Sequence, residues 1–212
     1  RALDPAALSL AAACGHARLS VVRRPRLFLL ATGDELVAPG AVLGPDQIVA
    51  SNGYGAAALA RKHGADVTDL GIIPDDQAQI KAAIEQAMAN GADIIVTLGG
   101  ASVGDHDLIR PVLASLGVNL DFWQIAMRPG KPLMYGKHGK THILGLPGNP
   151  VSSLVCGQLF LAPLIAALSG TAFKQDIRQA RLAAPMPAND HRQDYVRASV
   201  EFSEGGQVVT PF

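Results

Sequence analysis

Cysteine, aromatic side chains and net charge are all in short supply in this 212-residue chain, and each shortage removes a class of function. The two cysteines, Cys14 and Cys156, stand too far apart in sequence for a zinc or dithiol motif, so both read as buried thiols in a reducing compartment. Lys plus Arg is 18 and Asp plus Glu is 18, so no general field draws the chain to nucleic acid or an anionic membrane, and any anion must be bound locally. Six scattered histidines include His138 and His142, whose i, i+4 spacing spans a glycine-containing turn rather than a helix, so no zinc site is read there. Neither a nucleophile elbow nor a Ser-His-Asp order occurs. No secretory n-region or cleavage site opens the chain. Residues 143–173 lack charge, but Pro147, Asn149, Pro150, Ser152, Ser153, Gln158 and Pro163 interrupt the run, which reads as a core helix entered by a tight turn and not a membrane span.

What is present is aliphatic: 49% of residues are hydrophobic and only 5% aromatic, the composition of a compact α/β protein. Residues 27–31, 66–73, 93–98 and 120–127 read as strands, with helices between them. The clearest helix is 76–89, where Ile80, Ala83, Ile84, Ala87 and Met88 make one apolar face, with Asp75 as N-cap and Gly91 as stop. Asn52 reads as the cap of a helix to Arg61, another helix ends before Gly117, and 133–136 with 142–146 suggest a hairpin. This alternation predicts a three-layer α/β/α fold around a mostly parallel sheet. Residues 1–22 look like the tail of a preceding linker region, 23–170 like the α/β domain, and 171–212 like the beginning of a small β-domain that is truncated.

The unusual loops all follow strands, at TGDEL (32–36), residues 74–76, GGASVGDHD (99–107), RPGKP (128–132) and LPGNP (146–150). In an open α/β sheet such loops meet at one rim, where ligands bind. Gly99, Gly100, Ser102 and Gly104 form a small-residue loop that either cradles an anion on backbone N–H groups or merely turns a strand into a helix. Asp34, Glu35, Asp75 and Asp107 offer hard oxygen ligands for magnesium, although Asp75 and Asp107 serve equally well as helix caps. Arg128 and Lys131 flank Pro129 and Gly130 with no acid between them, which suits an oxyanion, and Ser152 adds a hydroxyl near a helix start.

Taken in order, TGDEL, SNG (51–53), GIIPDD (71–76), GGASVGDHD, MRPGKPLMYGK (127–137) and GLPGNPVSS (145–153) resemble the molybdopterin molybdenumtransferase family, that of MoeA and the gephyrin E domain. The resemblance implies a cytoplasmic enzyme of molybdenum cofactor biosynthesis that inserts molybdate into adenylylated molybdopterin and releases AMP. It further implies a homodimer, a molybdopterin adenylyltransferase as partner, and neither nucleic acid nor membrane as a target. By motif, Glu35, Asp75 and Asp107 match residues serving magnesium and catalysis, with Lys131 also catalytic. Gly99, Gly100, Ser102 and Gly104 match the pterin-phosphate loop, supported by Asn52 and Asn149. Arg128, Lys131, Pro132, Ser152 and Arg197 match molybdate-contacting positions. Two positions depart from the family's common pattern: Gln124 and Arg128 stand where lysine is frequent. A related adenylyltransferase and a non-catalytic scaffolding module of the same fold are the alternatives to be distinguished.

Overall fold

A computed structural model describes residues 3–99, 108–203 and 205–212. In chain order the strands are β1 (Arg26–Thr32), β2 (Leu36–Val37), β3 (Ile48–Val49), β4 (Asp66–Ile73), β5 (Ile94–Leu98), β6 (Asn119–Phe122), β7 (Met127–Arg128), β8 (Met134–His138), β9 (Thr141–Leu146), β10 (Arg181–Leu182), β11 (Gln193–Asp194), β12 (Ala198–Ser203) and β13 (Gly206–Pro211). The helices are α1 (Pro5–Ala13), α2 (Asn52–Lys62), α3 (Gln77–Ala89), α4 (Ile109–Ser115), α5 (Pro150–Cys156) and α6 (Ala162–Leu168), the last two joined by a π-helical turn at Gly157–Leu161.

The main sheet has the order β4-β1-β5-β9-β8-β6. Strands β4, β1, β5 and β9 run parallel, while β8 returns antiparallel to both β9 and β6. Alternation along β1 explains the layers. Leu27 and Leu29 face α2 and the α5–α6 helix with Val96, Leu98 and Leu146, while Phe28 and Leu30 face α3 and α4 with Ile80, Ile84, Ile95 and Leu113. A strand buried on both sides is mostly apolar along its length, and β5, Ile94–Leu98, is buried throughout, with Thr97 its one polar side chain. The molecule is therefore a mixed α/β fold with a mostly parallel central sheet and helices on both faces.

Three expectations shift. The run 120–127 is broken, because β6 ends at Phe122 after a register irregularity and β7 leaves the main sheet to pair with β11. Asp76, not Asp75, caps α3: its extended backbone lets the carboxylate accept from Gln79 N at 2.8 Å, while Asp75 N donates to Asp34 Oδ1 at 3.0 Å. Asn52 is the first residue of α2 rather than its cap, and its side chain reaches elsewhere. The Pro150–Leu168 helix is long and apolar enough to span a membrane by length and composition, yet Cys156, Leu161, Ala162 and Ile165 on one face are fully buried in the core.

Beyond α6, strands β10, β13 and β12 form a separate small sheet. Near the other end, Arg23 clamps Asp93, just before β5, through two bonds of 2.5 and 2.7 Å, and Arg26 N adds a third at 2.7 Å.

Candidate functional site at the carboxyl edge of the sheet

Because β1, β4, β5 and β9 are parallel, the segments that follow Thr32, Ile73, Leu98 and Leu146 emerge from one edge. Between three of them, those after β1, β5 and β9, lies a cleft of about 90 Å³ lined by Thr32, Glu35, Asn52, Gly99, Gly148 and Pro150, with apolar walls from Leu36, Ile48, Val49 and Leu98. Its floor depends on glycine. Gly99 has φ +85°, and a Cβ there would sit 2.7 Å from the carbonyl oxygen of Thr32, so only glycine lets β1 and β5 end this close together. Strands β2 and β3, paired in parallel, form the outer wall.

Hydrogen bonds brace the rim. Asn52 Nδ2 donates to Gly148 O at 2.6 Å, tying the start of α2 to the loop after β9. Asn149 caps α5 by accepting from Ser152 N at 3.1 Å and Ser152 Oγ at 3.3 Å. The Asp34–Asp75 bond links the loops after β1 and β4, so the acidic residues Asp34, Glu35 and Asp75 share the exposed edge. Thr32, only 3% exposed, has a hydroxyl with no hydrogen-bond partner among the described residues and lines the same cleft.

The Arg128–Lys131 loop, whose Arg128–Pro129 peptide is cis, packs against α5. Gly130 has φ +111°, and a Cβ there would lie 2.5 Å from both Cys156 Sγ and the Met127 methyl. Burial pushes the Cys156 thiol up to about 12, so it is a packing element and not a nucleophile. Ser152 lies one helical turn before Cys156, on the flank of α5 that meets this loop. Lys131 is exposed and Pro132 half-buried beside it; the backbone of Lys131 accepts from Ile125 N at 3.0 Å.

The fold adds an acid that the loop's own sequence lacks. Asp194, in β11, takes the Arg128 guanidinium in a two-bond ion pair, with Nε donating to Oδ1 at 3.0 Å and Nη2 to Oδ2. That pairing holds Arg128 more firmly protonated than a free arginine. Arg197 stacks over Phe212 with its guanidinium carbon 5.4 Å from the ring centre.

Of the sequence-predicted residues, Glu35, Asn52 and Gly99 thus share one cleft, Asp75 and Asn149 brace its rim, and Arg128, Lys131, Pro132 and Ser152 lie around the loop packed on α5. Arg197 sits in the segment that β11 docks there. Gly100, Ser102, Gly104 and Asp107 lie outside the described residues. Among the described residues no three His, Cys, Asp or Glu side chains are grouped to hold a metal ion. Sequence reasoning missed Thr32, although it opens the TGDEL motif, and Asp194, for which no local spacing gives a signal.

Similar proteins agree with one another. The chain is 38% identical over 210 residues to the molybdopterin molybdenumtransferase of Haemophilus influenzae, covering 97% of this chain and 51% of the relative. It is 37% identical over 208 residues to the protein of the same name from a Nostoc species, covering 96% and 48%. A solved structure described as a molybdopterin biosynthesis moea protein from Pyrococcus horikosii superposes with a TM-score of 0.81 at 30% identity, covering 98% of this chain and 50% of that one. The chain spans about half the length of the curated relatives it matches. Residues 28–167, which hold the main sheet, its helices and the cleft, match the pattern of the family described as "Probable molybdopterin binding domain", and the chain belongs to that family.

Proposed function

We propose that this chain forms the central part of a molybdopterin molybdenumtransferase, acting in molybdenum cofactor biosynthesis by joining molybdate to adenylylated molybdopterin with release of AMP. The observation that carries the reading is the meeting of Glu35, Asn52, Gly99 and Gly148 in one cleft whose lining includes Pro150, the first residue of α5, the helix on whose Cys156 the Arg128–Lys131 loop packs. The names of the relatives support it.

In this reading residues 1–22 are the tail of a linker, 23–170 bind the pterin, and 171–212 begin a C-terminal β-domain. Gly99, with Gly100, Ser102 and Gly104, receives the pterin phosphate on backbone N–H groups, while Asn52 and Asn149 keep the surrounding loops in place. Lys131, Arg128, Pro132, Ser152 and Arg197 surround the molybdate, compensating its charge and orienting it toward the pterin sulfurs. Glu35, Asp75 and Asp107 serve magnesium. The exposed carboxylates of Glu35 and Asp75 on the same edge fit that ion, which takes oxygen ligands. When bound, magnesium supplies charge neutralisation at the phosphoanhydride. The enzyme would work in the cytoplasm as a homodimer, receiving its substrate from a molybdopterin adenylyltransferase.

Lys131→Ala tests the assignment. Loss of a preorganised cation lowers molybdate-dependent AMP release by ~10²-fold. Unchanged turnover together with unchanged molybdate affinity would remove Lys131 from the site. Incubation of molybdopterin with ATP separates the reading from an adenylyltransferase, which would make the adenylylated pterin instead of consuming it.

A further inference from the structure

Arg128 and Asp194 are 66 residues apart in the chain, yet the backbone itself brings them together. Strand β11 pairs with β7 so that Asp194 stands opposite Arg128, and Gln193 N and Tyr195 N donate to Ala126 O and Arg128 O at 2.8 and 2.7 Å. The carboxylate is well covered and the guanidinium is not: their side chains are 12% and 51% exposed. An anchor inside and a free end outside is the arrangement of a residue held for use.

The bonding pattern says which edge is free. A guanidinium carries five N–H donors, and Asp194 occupies the Nε edge through Nε and Nη2, leaving the Nη1 end and one further hydrogen unclaimed by that pair. This edge-on grip also fixes the plane of the group, because both carboxylate oxygens engage it. We propose that Asp194 is a positioning residue for oxyanion binding, holding Arg128 by one edge so that the other is left for the anion. The inference rests on the functional reading above and deepens it by adding a residue from the β-segment to the oxyanion loop.

Two effects oppose each other when Asp194 is neutralised. Its negative charge no longer repels an incoming oxyanion, which favours binding, but Arg128 regains the rotamers of a long, half-exposed side chain. The first effect is limited, since both carboxylate oxygens are already engaged by the Arg128 guanidinium that compensates their charge. Orientation therefore dominates, and the sign is a prediction.

The experiment measures steady-state AMP release by the full-length protein from adenylylated molybdopterin and molybdate. Asp194→Asn is expected to raise the KM for molybdate about tenfold, the scale of one lost charge-assisted hydrogen bond, while the KM for the pterin stays within about twofold. Asp194→Glu, which keeps the carboxylate, is expected to recover most of the molybdate affinity. An unchanged or lowered molybdate KM in Asp194→Asn overturns the proposal. So does an equal loss for both substrates accompanied by a lowered Tm, which would give the pair a structural role alone. Absence of AMP release by the wild-type protein overturns the functional reading, and this inference with it.

Discussion

Gly130 and Cys156 show how a single residue sets the position of the cationic loop. Any side chain at Gly130 must fit a φ of +111° and displace both Cys156 Sγ and the Met127 methyl. Positive-φ strain and overpacking each cost on the order of 1–3 kcal/mol, so Gly130→Ala is expected to lower unfolding stability by ~2 kcal/mol or more. Equal urea midpoints for variant and wild type would show that the loop is not held by this contact. The same packing makes a chemical prediction. Cys156 is fully buried with its thiol pushed up to about 12, whereas Cys14 is exposed. A thiol reagent at pH 8 should therefore label one cysteine rapidly in the native protein and two after denaturation, the thiolate being the reactive form. Two rapid equivalents in the native state would contradict the burial. The expectation of two buried thiols was half met, because sequence distance excludes pairing but says nothing about which cysteine a helix turns inward.

Elements were legible where their signal is local. The apolar runs of β1 and β5 and the i, i+3, i+4 face of α3 appear in the sequence because burial demands them residue by residue. Boundaries were less so. Two adjacent aspartates precede α3, and composition cannot say which one takes the extended cap conformation; the fold decides, because Asp75 N is bound to Asp34 and Asp76 is left to turn its carboxylate onto Gln79 N. Asp76→Ala is accordingly expected to cost ~1 kcal/mol of stability in urea, with Asp76→Asn, another good cap, costing much less. Similar losses for both substitutions would point to charge and not to capping. The bond from β7 to β11 left no trace of either kind. Two-residue strands have no period, and a carboxylate that meets its arginine across 66 residues looks, in sequence, like any solvated charge. The candidate site divides along the same line: its loops were readable from the strands they follow, its braces were not.

At the scale of the whole molecule, the arrangement depends on pieces fastened to the edges of one sheet. The segment before β1 is fastened through Asp93, which accepts from Arg23 twice and from Arg26 N once. Its carboxyl lies below the ordinary range, chiefly because of the Arg23 hydrogen bonds, with burial pulling the other way. A depressed folded-state pKa means that protons bind the unfolded chain more readily than the native one, so the contribution is complete above the unfolded value of about 3.9 and disappears as pH falls through the lower folded value. Arg23 is largely solvent-exposed, which screens the pair and keeps its worth modest. Asp93→Asn should therefore be less stable than wild type at pH 7, and the gap between their urea midpoints should close as pH is lowered below about 4. A gap that stays constant across that range would mean that Asp93 acts through shape and neutral hydrogen bonding, and that the amino-terminal segment is held instead by contacts such as the close approach of Val22 to Gly170.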